Sequence, residues 1–503
     1  LSGGSGGLVK TKQGLVRGAR ERAVYAWKGI PYALPPIGKY RFKPPHPPEP
    51  WDGIRDAARY GAVPCQSDGY LISQFGEKSY VMSEDCLNLN IWSPAADGGK
   101  RPVLVWFYGG SYVSGTANAP LYNGASFAER GDLVFVGVNY RLGILGFLHL
   151  GEIAGEEYAA SGNNGLLDQI AALEWIRDNI EAFGGDPDRV TIFGESAGAA
   201  SVATLMAMPK ARGLFHRGIM QSGSHKKIID VETAAERARW ALRQLNIPEK
   251  EWERLLLVEA ERLVELTAAA ARQQVEFIPL VDGVSLPEHP LTAYGKGAAR
   301  DIPVMMGTTL DEMRLMYVYD PHWADFPDDE AALEWFDRRF GPFPDEIKQY
   351  YVHLDMPGEP FAHKLIAMLN YKSFELPMQQ IARRQLAHGA PVWLYRFDWR
   401  GTGMNGLLGA CHASELPYVF NNLDAPRARI LCGDRMDGEL ALRMHRAWIA
   451  FARSGDPNTP DLPHWPPYDL QTRARMIFDT NSEVRNDPYK EERLLWEAHD
   501  GMD

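Results

Sequence analysis

The pentapeptide Gly194-Glu195-Ser196-Ala197-Gly198 leaves the chain few architectures. It sits between a β-branched run, Val190–Phe193, and an Ala-rich stretch, Ala197–Met208. A G-x-S-x-G in that setting reads as strand, tight turn and helix, with the serine on the strained turn. Glycines two residues to either side let the strand and helix backbones approach closely. The helix that follows turns its free N–H groups toward the serine's surroundings. Other short apolar runs recur at Pro102–Tyr108, Leu133–Asn139, Val304–Gly307 and Val392–Phe397. Several lack polar alternation, as strands covered on both faces do. Between Gly165 and Phe183, the residues Leu166, Ile170, Leu173, Ile176 and Ile180 mark one face of a helix. Strands separated by helices predict an α/β fold with a large, mostly parallel central sheet flanked by helices.

No repeat or low-complexity linker divides the chain, so 8–503 is read as a single domain. Residues 1–7, LSGGSGG, read as a flexible linker. Charge-rich segments near 231–270 and 320–380 read as helical excursions from the sheet, positioned to cover a site at the strand ends.

A nucleophilic serine needs a base, an acid that orients the base, and N–H donors for the oxyanion. Among thirteen histidines, His412 stands out. It follows the Val392–Phe397 run and a Gly-rich loop, far C-terminal of Ser196. Asp311 and Glu312 lie just past the Val304–Gly307 strand, between serine and histidine in sequence, and position alone does not choose between them. Ala197 N–H, next to the nucleophile, is one expected donor. Gly109-Gly110-Ser111-Tyr112, after the Pro102–Tyr108 strand, offers others. Because the base must be neutral, activity is expected to rise over roughly pH 6–7.5, near a free histidine's titration. His149, His216 and His464 read as structural residues at element edges, Cys411 as a structural thiol, and Gly401–Gly406 as a loop rather than a nucleotide fingerprint.

The net charge of −12, with no basic stripe, argues against nucleic acid as a partner. No apolar run reaches the ~20 residues of a membrane-spanning helix. Leu1–Gly7 has neither the basic flank nor the apolar stretch of a secretory signal. No spacing suits a metal, and no cofactor is implied.

Longer strings carry a resemblance over about Gly14–Pro488. They include Lys28-Gly29-Ile30-Pro31-Tyr32-Ala33, Ser83-Glu84-Asp85-Cys86-Leu87-Asn88, Asn139-Tyr140-Arg141, Phe183-Gly184-Gly185-Asp186-Pro187, the serine pentapeptide, and Phe451-Ala452-Arg453-Ser454-Gly455-Asp456-Pro457-Asn458. In these the chain resembles the type-B carboxylesterase and cholinesterase family of the α/β-hydrolase fold, nearest to its bacterial para-nitrobenzyl esterases. The resemblance implies a cofactor-free serine esterase with Ser196 as nucleophile, Glu312 as acid and His412 as base. It further implies Gly110, Ser111 and Ala197 as oxyanion donors, and Ser222 as a supporting residue near them. Small-molecule esters are the implied partners. A bacterial cytoplasmic enzyme is expected, or a secreted one if a signal has been removed. An interfacial lipase and a non-catalytic adhesion-type member are the alternatives, the latter disfavoured by the intact residues.

The chain departs from the family in two places. Ser111 replaces the third glycine of the oxyanion loop, and Met313 replaces the glycine after Asp311-Glu312. Cys65 and Cys86 match a family disulfide. Cholinesterases place a tryptophan in that loop. This chain has only Tyr70, Phe75 and Tyr80 as aromatics there, so neutral short- to medium-chain esters are expected over choline esters.

Overall fold

The computed structural model describes residues 7–67, 80–226, 228–318, 326, 328–341, 343–356 and 361–500. Eleven strands form one sheet: β1 (Ala19–Glu21), β2 (Val24–Pro31), β3 (Asn88–Ser93), β4 (Arg101–Phe107), β5 (Val134–Val138), β6 (Gly185–Glu195), β7 (Arg217–Gln221), β8 (Val304–Thr309), β9 (Val392–Phe397), β10 (Ala474–Phe478) and β11 (Glu483–Asn486). Their order across the sheet is β11-β10-β9-β8-β7-β6-β4-β5-β3-β2-β1. From β5 to β10 every neighbouring pair is parallel, whereas β1, β2 and β3 at one edge and β11 at the other pair antiparallel. The sheet is thus mixed and mostly parallel, as expected. Its central strands are buried along nearly their whole length, which explains their unalternated apolar sequences.

Helix α1 (Asn164–Asn179) buries the stripe Leu166, Ile170, Leu173 and Ile176. Helix α2 (Ala197–Leu205) follows β6 and is buried throughout. It stops three residues short of the expected end. The Val190–Phe193 run proves to be the C-terminal part of the longer β6, whose first half is too polar to be recognised as strand. The first excursion holds α3 (Val231–Gln244) and α4 (Ala260–Arg272). The second holds α5 (Asp329–Phe340), α6 (Asp345–Val352) and α7 (Phe361–Asn370), then a π-helical turn at Tyr371–Glu375 and α8 (Leu376–Ala387). Phe336, Ile347, Met368 and Trp496 centre a small satellite core there, apart from the main one around the sheet.

The chemistry-bearing residues follow from this topology. In an open parallel sheet, sites lie beyond the carboxyl ends of the strands. Gly109 follows β4, Ser196 follows β6, Ser222 follows β7, and Glu312 follows β8. His412 arrives on the long loop after β9.

Candidate active site

Ser196 stands between β6 and α2 with φ 55° and ψ −119°. A non-glycine residue at positive φ is strained and persists only where its surroundings hold it. Here its N–H donates to Gln221 O at 2.9 Å. A Cβ on Gly198 would lie 1.9 Å from Phe107 O, and one on Gly194 would lie 2.4 Å from the Gly198 backbone. The glycines are therefore obligatory, because strand and helix touch through them.

His412 Nδ1 lies 2.6 Å from Glu312 Oε2. A carboxylate only accepts, so Nδ1 carries the proton and Nε2 of the neutral ring is free to accept one. Glu312 is itself held, since Thr309 N–H donates to its other oxygen at 2.8 Å and His412 N–H donates to its carbonyl at 3.2 Å. Phe374, from the π-helical turn, packs on the imidazole at 5.3 Å between ring centroids.

Asp311 points elsewhere. It is 5 % exposed, pairs with Arg314 at 3.1 Å and Arg400 at 3.0 Å, and accepts from Ala410 N–H at 3.0 Å. It braces the loop that presents His412 and does not reach the imidazole. The pair that position alone left open is thus separated by geometry.

Two carboxyl groups near the ring were not singled out from sequence. Glu195 Oε1 lies 2.9 Å from His412 Nε2, without hydrogen-bond alignment. Glu415 is buried one helical turn beyond His412, and its Oε1 accepts from Gln221 Nε2 at 3.0 Å. Their positions were available as signals: Glu195 is the variable residue of the serine pentapeptide, and Glu415 follows the histidine by three. Burial alone would push the His412 pKa down. The carboxylates of Glu195 and Glu312 outweigh it and hold the imidazole well above the usual histidine value. Burial, and then the charges of Glu195 and Glu312, push Glu415 up to about 8.

Ser196, His412 and Glu195 line one cavity with Gly109, Gly110 and Ser111. Ala119, Tyr122, Leu315, Met316 and Arg427 are also in its wall, as are Ala413 and the returning arm of the loop at Ser114–Thr116. Ser196 Oγ and the imidazole face this space, with no hydrogen bond between them among the described residues. Among those residues, nothing accepts from the N–H of Gly110, Ser111 or Ala197. For Ala197 this follows from its place at the start of α2, where no intrahelical acceptor exists. Ser111 is exposed to the cavity at φ 55°, a conformation that the family's glycine takes without strain. Ser222, at φ 51°, is buried beyond β7 next to Ser196 in the parallel register, and its hydroxyl has no partner.

Residues 5–496 match the profile of the Carboxylesterase family. The chain belongs to the carboxylesterase family. It is 40% identical over 494 residues to the para-nitrobenzyl esterase of Bacillus subtilis (strain 168), covering 97% of both chains. It is 35% identical to the phenmedipham hydrolase of Pseudarthrobacter oxydans, over 95% of this chain and 97% of that one. The solved carboxylesterase of Geobacillus stearothermophilus at pH 6.2 superposes with a TM-score of 0.90 at 43% identity, covering 97% of this chain and 100% of that one. The α/β-hydrolase architecture and the class, carboxylic-ester hydrolase, stand on these likenesses.

Other expectations fall out as follows. Cys65, Cys86, Cys411 and Cys432 are all thiols in this structure, so the family disulfide is not formed here. Cys411 is fully buried, and burial pushes its thiol well above the usual value, which suits a structural residue. His216 is structural too, with Nδ1 accepting from Val190 N–H at 3.2 Å. Tyr70 and Phe75 lie outside the described residues, as do residues 1–6 of the expected linker. No helix among the described residues is long and apolar enough to cross a membrane.

Proposed function

We propose that this carboxylesterase hydrolyses neutral short- to medium-chain esters by two acyl transfers through Ser196. In the first, Ser196 Oγ attacks the ester carbonyl while His412 Nε2 takes its proton. Glu312 keeps the ring in the required tautomer and balances the imidazolium that forms. The oxyanion is received by the N–H groups of Gly110, Ser111 and Ala197, preorganised donors that gain strength out of water. The imidazolium then gives its proton to the departing alkoxide. Water, activated by the same His412, hydrolyses the acyl-enzyme and restores Ser196.

The observation that carries this reading is the 2.6 Å Glu312–His412 contact, with His412 on the same cavity as the strained Ser196 and the unengaged N–H groups of Gly110 and Ser111, and Ala197 directly after Ser196. The neutral-ester preference is supported by a wall that presents Ala119, Leu315 and Met316, with Tyr122 its one aromatic among the described residues. A fluorophosphonate probe tests the nucleophile. It should label wild type at Ser196 and leave a folded Ser196→Ala variant unlabelled, with kcat below about a hundredth of wild type. Label on the variant, or a higher kcat, overturns the assignment.

A further inference from the structure

We propose that Gln66 is a positioning residue for the oxyanion loop, a role that rests on the function just argued. The loop Gly109–Gly115 doubles back through an unusual run of left-handed residues: Gly110 at φ 117°, Ser111 at 55°, Tyr112 at 63° and Gly115 at 113°. For serine and tyrosine this region costs roughly 1–2 kcal/mol per residue. Such a backbone keeps its shape only where neighbours hold it. Within the loop, the N–H groups of Val113 and Ser114 close on Gly110 O at 3.0 and 3.1 Å. At its apex, Gly143 N–H donates to Tyr112 O at 2.7 Å.

The returning arm is held at Gly115 by the side chain of Gln66. Gln66 is 4 % exposed. Its Oε1 accepts from Gly115 N–H at 2.7 Å, and its Nε2 donates to Gly115 O at 2.9 Å and to Pro64 O at 3.0 Å. Both donors and the acceptor of the amide are engaged, and both polar backbone groups of Gly115 are gripped at once. Gly115 is also the point where the loop closes on itself. A Cβ there would lie 2.5 Å from Gly109 O and 2.5 Å from the Tyr108 ring. A shift of Gly115 therefore passes directly to Gly109 and to the neighbouring Gly110 donor. Donors serve an oxyanion only within about 2.7–3.1 Å of it, so small displacements matter.

The test compares wild type, Gln66→Met and Gln66→Glu on p-nitrophenyl butyrate, with active sites counted by fluorophosphonate titration. Acylation and deacylation both pass through an oxyanion. Gln66→Met, of similar shape without the hydrogen bonds, should lower kcat per titrated site roughly 10–100-fold, short of the ~10²–10³ for deleting a donor. KM should hold, because both steps slow together. A simple loss of folded protein would lower the number of titrated sites and leave kcat per site alone. Gln66→Glu adds a pH signature. Its neutral acid both donates and accepts, while its carboxylate only accepts. Its kcat relative to wild type should therefore fall as pH rises, whereas the Gln66→Met ratio stays flat. A Gln66→Met kcat per site within about twofold of wild type overturns the proposal. So does a flat ratio for Gln66→Glu, which decides the matter if Gln66→Met does not fold. Wild type that fails to titrate at Ser196 would instead overturn the serine reading.

Discussion

In the proposed mechanism most of the chemistry turns on His412, and its surroundings bear on the pH dependence of the reaction. The base acts only when neutral, and carboxylates on both sides of the ring keep it protonated to higher pH. The rise of kcat/KM with pH should therefore lie above the range of a free histidine, about 6.5. Glu195→Gln removes one of the two charges, so its profile should move toward acid pH relative to wild type. An unmoved profile would show that Glu195 leaves the titration of His412 untouched. The two adjacent acids separate by a different measurement. Glu312→Gln should cost on the order of 10²–10⁴ in kcat with little loss of fold, as removal of a triad acid does. Asp311→Asn strips a buried carboxylate from Arg314 and should show mainly as lost stability, of about 3–5 kcal/mol in denaturant unfolding. The opposite ranking in kcat would exchange their roles. Ser196 and His412 are legible in the sequence because each sits in a local pattern. Glu195 and Glu415 are placed by the same patterns, but their action on the imidazole is not legible, because a carboxyl group's influence is set by distance and burial across separate elements.

At the scale of elements, the turn from β6 into α2 and the loop after β4 form one packed unit. A Cβ on Gly109 would meet Glu195 O at 2.7 Å and Ser196 Cβ at 2.9 Å. Gly109→Ala should therefore displace Ser196 and sharply reduce kcat, whereas an alanine at the exposed Gly98, with open space around it, should change nothing measurable. Ser111 tests the same loop in the other direction. Ser111→Gly relieves a left-handed serine worth roughly 1–2 kcal/mol but frees the unfolded chain by about 0.4–1 kcal/mol. A net gain of between zero and about 1.6 kcal/mol is expected by thermal unfolding, and a clear loss would mean that the serine side chain itself secures the loop. The central strands and α1 are legible because burial on both faces, or on one helical stripe, leaves a plain apolar pattern. The edge strands β1 and β11 are three and four residues long and mostly exposed, so no such pattern marks them. The Gln66 clamp is likewise hidden, because its partner Gly115 stands 49 residues away in sequence.

The whole molecule brings these parts to one face, since successive parallel strands deliver Gly109, Ser196, Ser222 and Glu312 to the same edge of the sheet. Fold class and architecture are legible at this scale because alternating strand and helix patterns admit few connections. The shape of the cavity is less so, because Leu315 and Met316 enter it from the segment just after Glu312, and Phe374 packs on His412 from the second excursion, whose sequence marks only helices. Substrate choice is a property of that assembled cavity. A good cation–π contact is worth about 0.5–2 kcal/mol, and no tryptophan lines the cavity among the described residues. The chain's net charge of −12 attracts cations, but at about 0.15 M salt that pull is screened beyond ~8 Å. An uncharged butyrate ester should therefore exceed butyrylcholine in kcat/KM at matched leaving-group reactivity, and a faster choline ester would refute the neutral-ester preference. The central claim, acyl transfer through Ser196, is tested most directly by quenching the intact enzyme with acid during turnover of p-nitrophenyl acetate and locating the adduct by peptide mass spectrometry. The account predicts an acetyl group on the peptide containing Ser196, enriched in Glu312→Gln if deacylation slows more than acylation. An acetyl group confined to another residue would contradict it.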